Sequence, residues 1–114
     1  MLFRGILFNP QECAVSSLTE YEIGNTLWKQ NKKKELDDPK RIATIFQESL
    51  AELDEISVDS VVNVMILAME RNLTFYDASY VYLAEKENME LVTEDNDLIK
   101  KCKSAIHLKD MELT

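Results

Sequence analysis

Leu91-Val92-Thr93-Glu94-Asp95-Asn96-Asp97-Leu98 is the stretch on which the fold turns. Leu91 and Val92 read as a short buried strand. Residues 93–97 form a polar turn that caps a short helix running through Lys101, and residues 105–108 return to an apolar strand. Short strands that are apolar throughout and separated by helices predict a parallel sheet covered on both faces.

The same alternation extends backwards from this stretch. Thr74 is placed to cap a helix that carries Asp77, Tyr80, Val81 and Ala84 along one side and stops near Asn88, which tolerates the left-handed conformation. Before it, Ile56 and Val58 make a strand-like piece. Asp59 is expected to cap a helix over residues 60 to about 71, apolar around most of its girth through Val61, Val62, Val64, Met65, Ile66, Leu67 and Met69. Such a helix is expected to be largely buried. Asp38-Pro39 opens another helix, whose Ile42, Ile45, Phe46, Leu50 and Leu53 recur at helical spacing. Further upstream, Cys13, Ala14 and Val15 form a strand. It hands over at Ser17-Leu18-Thr19-Glu20, a capping-box pattern, to a helix that runs to about residue 29. The cations Lys29, Lys32, Lys33 and Lys34 complement that helix's C-terminal partial charge. The fold class is α/β, in the order strand, helices, strand, helices, strand, helix, strand.

Bulk properties narrow the function. The 114 residues suit one domain with a single core, and 46% hydrophobic with 30% charged residues is the composition of a folded protein. No apolar run approaches the roughly 18 to 20 residues that span a bilayer, and the first residues lack a cleavage pattern, so the default location is cytoplasmic. Cys13 and Cys102 lack ligand spacing and read as buried thiols. With a formal net charge of −8, the protein is not one that grips nucleic acid with its whole surface. Gly5 and Gly24 are the only glycines, which removes Gly-rich phosphate loops.

In a parallel α/β sheet, ligands bind at the carboxyl ends of the strands. Three acids fall there independently. Glu22 lies in the first turns of the helix after Val15, Asp77 in the first turn of the helix before the Leu91-Val92 strand, and Asp95 just beyond that strand. Each has a plain structural alternative as a cap or a surface acid. Together they suit a hard divalent cation, which needs several carboxylate oxygens in one small space.

Three segments carry a family resemblance: Ser17-Leu18-Thr19-Glu20-Tyr21-Glu22-Ile23-Gly24-Asn25-Thr26-Leu27-Trp28, Thr74-Phe75-Tyr76-Asp77-Ala78-Ser79-Tyr80, and the opening stretch from Leu91 to Leu98. In order and approximate separation they resemble the PIN-domain family, and within it the VapC-type toxins. The resemblance implies a metal-dependent endoribonuclease that hydrolyses RNA phosphodiesters with Mg²⁺ or Mn²⁺. Glu22, Asp77 and Asp95 would be its catalytic and metal-binding acids, Thr93 a supporting hydroxyl, and Asn96 and Asp97 weaker supports. An antitoxin protein and a homodimer or higher oligomer are the implied partners, besides RNA.

The start of the chain departs from that pattern. The family opens with an apolar strand ending in Asp, placed in the middle of the sheet, and nothing before Val15 supplies it. The expectation is therefore an N-terminally incomplete PIN-like domain over residues 1–114, with Met1 falling inside the first helix of a complete domain and activity reduced. Residues 1–8 are expected to refold into the vacant slot, or two copies to associate through exposed strands or helices. The runner-up function is a non-catalytic dimerisation or antitoxin-binding module, with Met65, Met69, Tyr80, Tyr82 and Trp28 as candidates to line a partner groove. For the nuclease, the lysines at 29–34 or at Lys100, Lys101 and Lys103 would offer phosphate contacts. His107 reads as structural.

Overall fold

A computed structural model describes residues 5–9 and 12–110; residues 1–4 of the segment expected to refold lie outside them. The chain order is β1 (Ile6–Asn9), β2 (Glu12–Ser16), α1 (Thr19–Lys32), α2 (Pro39–Ala51), β3 (Asp54–Ile56), α3 (Val61–Arg71), α4 (Phe75–Lys86), β4 (Glu90–Thr93), α5 (Asn96–Lys101), β5 (Ala105–His107) and a short 3₁₀ turn. Every strand and helix read from the sequence is present. β1, at the N-terminal end, overlaps the segment expected to refold into the central slot.

Among the described residues the sheet has the order β3-β2-β1-β4-β5. β2 pairs with β3 in parallel and β4 with β5 in parallel, as expected. β1 fills the central slot from within the chain, but it runs antiparallel to both neighbours, pairing Leu7 with Ala14 on one side and with Leu91 on the other. The sheet is therefore mixed rather than wholly parallel. The reason is connection length: only Pro10 and Gln11 separate β1 from β2, whereas a parallel crossover needs a dozen residues or more. The other four strands point the same way, so one edge of the sheet gathers all four of their carboxyl ends.

The helix starts show where local chemistry held and where it did not. Asp38 Oδ1 accepts the Arg41 N–H at 3.1 Å with Pro39 in the first turn, and Asn72 and Asn88 take the left-handed conformation beyond α3 and α4. Before α1 the capping box does not form. The Ser17 N–H continues the β2–β3 ladder to Ile56 O at 3.0 Å, so the helix opens later, and Ser16 Oγ accepts the Leu18 N–H instead. Ahead of α3 the cap is Ser60, not Asp59. Asp59 instead accepts from Tyr82 Oη at 2.6 Å and Lys86 Nζ at 2.5 Å. The Lys86 bond, then the Tyr82 bond, hold its carboxyl below the usual carboxylate range.

The core lies between the sheet and α4–α5: Leu7, Ala14 and Leu91 pack with Tyr80, Val81, Leu83 and Leu98, all buried. Cys102 belongs to this core and Cys13 is half-buried; burial pushes both thiols up. The opposite face, under α1 and α2, is looser, and no residue of α2 is fully buried. α3 corrects a sequence expectation. Only Val64 and Ala68 are buried, while Val61, Val62, Met65, Ile66 and Met69 are exposed, at 44% to 75%. Apolar residues on every side signalled burial, yet among the described residues α3 packs chiefly on α4 and keeps an outer face uncovered. No helix among the described residues is long and apolar enough to cross a membrane.

Leu7 is fully buried at the centre of the substitute strand. Leu7→Ala should therefore cost about 3 kcal/mol of unfolding free energy, read from urea denaturation. A loss below about 1 kcal/mol would mean that β1 does not hold the central slot in solution.

Candidate functional site

The three acids occupy equivalent places. Glu22 lies in the first turn of α1, which leaves the carboxyl end of β2. Asp95 is the N-cap of α5, which leaves the carboxyl end of β4. Asp77 is in the first turn of α4, which runs back toward the start of β4 and so begins at the same edge. Each carboxylate thus stands at the positive end of a helix dipole, where a negative charge is stabilised by roughly 0.3 to 1 kcal/mol.

Short polar contacts fix each acid locally. Asp95 Oδ1 accepts the N–H groups of Asp97 at 2.9 Å and Leu98 at 3.4 Å, and the Asp95 N–H donates to Thr93 Oγ1 at 3.0 Å. Thr93 is fully buried, so its hydroxyl supports the acid through the backbone. The Asp77 N–H donates to Thr74 Oγ1 at 3.1 Å, and the Asp77 side chain is buried. Glu22, half-buried, accepts from Tyr80 Oη at 3.0 Å through Oε2, and the Thr19 hydroxyl lies 3.3 Å from the same Tyr80 oxygen. Asn96 and Asp97 are exposed, and Asp97 pairs with Lys101 at 3.2 Å along the helix surface.

Tyr80 was read from the sequence only as a helix-face and groove residue. Its position three residues after Asp77 was the available signal, since residues i and i+3 share a helix face. A cavity of about 460 Å³ opens beside Glu22, lined in part by Gly5, Ile6, Thr19, Lys29 and Tyr80. Lys29 therefore lines the same cavity as Glu22. Lys100, Lys101 and Lys103 lie at the opposite edge: α5 must return to the start of β5, and Ser104 O bonds Leu91 N there at 2.8 Å. The five residues suggested for a partner groove do not share a surface, because Tyr80 is buried while Met65, Met69 and Trp28 are exposed. His107 Nδ1 accepts the Lys109 N–H at 3.1 Å.

Carboxylates are the hard oxygen donors that Mg²⁺ or Mn²⁺ takes, so the donor chemistry fits such an ion. Among the described residues, however, no three or more of His, Cys, Asp or Glu gather closely enough to hold a metal. A cation here would draw the rest of its shell from water or from a substrate phosphate, as Mg²⁺ ordinarily does.

Comparison with known proteins places these features. The PIN domain family matches residues 2–104. Exonuclease VapC9 of Pyrobaculum aerophilum is 39% identical over 103 residues, covering 89% of this chain and 75% of that protein. Ribonuclease VapC3 of the same organism is 33% identical over 95 residues, covering 80% of this chain and 72% of that protein. A crystal structure of a Pyrobaculum aerophilum protein superposes with a TM-score of 0.79 at 38% identity, covering 84% of this chain and 66% of that one. The chain thus spans about two thirds to three quarters of the length of these relatives.

Asn caps a helix as well as Asp does, so the structural role of Asp95 can be separated from its charge. Asp95→Asn should hold stability within about 0.5 kcal/mol, while Asp95→Ala should lose about 1 kcal/mol, both measured by thermal unfolding. Equal losses would contradict the capping geometry.

Proposed function

We propose, from the premise that the chain belongs to the PIN domain family, that it is a ribonuclease of the VapC toxin type that cuts RNA internally at the carboxyl edge of its sheet. One observation carries the reading. Glu22, Asp77 and Asp95 come from three separate helices, and all three start at that edge. Glu22, Asp77 and Asp95 would hold Mg²⁺ or Mn²⁺, which supplies Lewis acidity toward a phosphodiester. Thr93 keeps Asp95 in place through its backbone N–H, and Lys29 offers a cation to the RNA backbone beside Glu22. Asn96 and Asp97, both exposed, contribute at most through solvent. RNA as substrate puts the site of action in the cytoplasm.

Activity is reduced relative to a four-acid site, because β1 (Ile6–Asn9) brings no carboxylate to the middle of the sheet. An antitoxin protein is the proposed heterologous partner. The proposed homodimer face is the outer side of α3. Residues 60–69 form the longest stretch of the chain without Asp, Glu, Lys or Arg. Two copies that each carry a formal charge of −8 approach with least repulsion through such a surface, and exposed apolar stripes mark interfaces.

A circular RNA incubated with Mn²⁺ tests the nuclease, because only internal cutting can open it. Glu22→Gln and Asp95→Asn should each slow cleavage by at least roughly 10- to 100-fold, and chelation should stop it. Undiminished cleavage by Asp95→Asn would remove the acid mechanism, and degradation confined to linear RNA would make it an exonuclease, as one relative is named. For the dimer, Met65→Glu should convert a dimer into a folded monomer by light scattering, with stability changed by no more than about 0.5 kcal/mol. A wild-type monomer would overturn that face.

A further inference from the structure

Tyr80 is 1% exposed, and its ring belongs to the core between α4 and the sheet. Its hydroxyl nevertheless leaves α4 and reaches α1, bonding Glu22 Oε2 at 3.0 Å, with Thr19 Oγ1 at 3.3 Å. The direction of both bonds follows from the groups. An ionised carboxylate only accepts, so the single Tyr80 proton points to Glu22, and Thr19 must donate to the Tyr80 oxygen. The result is a directed chain, Thr19 to Tyr80 to Glu22, that fixes Oε2. Thr19, Tyr80 and Glu22 all line the cavity of about 460 Å³.

The placement has a further consequence. Tyr80 lies one helical turn from Asp77 on α4, so its ring is a rigid strut between the helix that carries Asp77 and the helix that carries Glu22. α1 is otherwise loosely held, with Thr19 its only buried residue among those described.

We infer that Tyr80 is a positioning residue, whose hydroxyl, oriented by Thr19, sets the Glu22 carboxylate for a divalent cation bound at the carboxyl edge. The inference rests on the nuclease reading above. Groups that hydrogen-bond a metal ligand orient it, and losing one typically weakens metal affinity or activity about 10- to 100-fold.

Tyr80→Phe removes the hydroxyl and keeps the ring. Circular dichroism and thermal unfolding confirm the fold, and Mn²⁺ binding is read directly by electron paramagnetic resonance of the free ion. The expected result is roughly a 10-fold weaker Mn²⁺ affinity in Tyr80→Phe, a smaller loss in Thr19→Val, and recovery of RNA cleavage by Tyr80→Phe at raised Mn²⁺. Wild-type Mn²⁺ affinity in folded Tyr80→Phe, alongside lost binding in Glu22→Gln, would overturn the positioning role and leave the nuclease reading intact. Unaltered Mn²⁺ binding in Glu22→Gln, or none in the wild type, would overturn both.

Discussion

The structure depends on one constraint: β2 and β4 do not touch, and something must satisfy the backbone groups that face the gap between them. Left open in the interior, each such group costs on the order of 1 to 3 kcal/mol. β1 closes the gap with Ile6–Asn9, pairing on both sides. Its direction is imposed by the two-residue link to β2 rather than by its own side chains. An antiparallel insert satisfies the ladders as well as a parallel one would, because backbone groups do not record which way the filling strand runs.

That substitution keeps the carboxyl edge and changes what arrives there. β2 and β4 are held apart by one strand width, so α1 and α5 leave the sheet on either side of the slot, and Glu22 and Asp95 flank it. β1 contributes its amino end to this edge, with Ile6 as its first residue. Each of the three acids is then stabilised by its own helix and its own partner: Thr93 beside Asp95, Thr74 beside Asp77, Tyr80 beside Glu22. Acids supported in this way can stand at one edge without collapsing into a single cluster, consistent with the lack of a three-acid group among the described residues.

Packing is uneven around the sheet. The α4–α5 side is dense, whereas α1 and α2 leave an open cavity and α3 turns an apolar face outward. The dense side holds Asp77, Thr93 and Asp95 in a stiff frame. Glu22 stands on the looser side and is tied across to the dense side by Tyr80.

Much of this was legible in the sequence. Apolar strands, Thr74, Asp38-Pro39 and the Asn88 stop act within a few residues, so their readings depend on local chemistry alone, and Glu22 and Asp95 follow from which end of a strand their helices leave. What acts over long separations was decided only by the tertiary structure. Ser17 looked like a cap until the Ile56 carbonyl claimed its N–H, Asp59 looked like a cap until Tyr82 and Lys86 claimed its oxygens, and α3 looked buried because periodicity cannot say how many neighbours a helix will find. Lys100, Lys101 and Lys103 landed at the far edge because a parallel crossover must travel back along the sheet. The sequence by itself determined the helices, their order and the caps Asp38 and Thr74 that open α2 and α4, since these rest on contacts a few positions apart. Only the tertiary structure decided the direction of β1 and the bond from Tyr80 to Glu22, since both join groups that meet only once the sheet has closed.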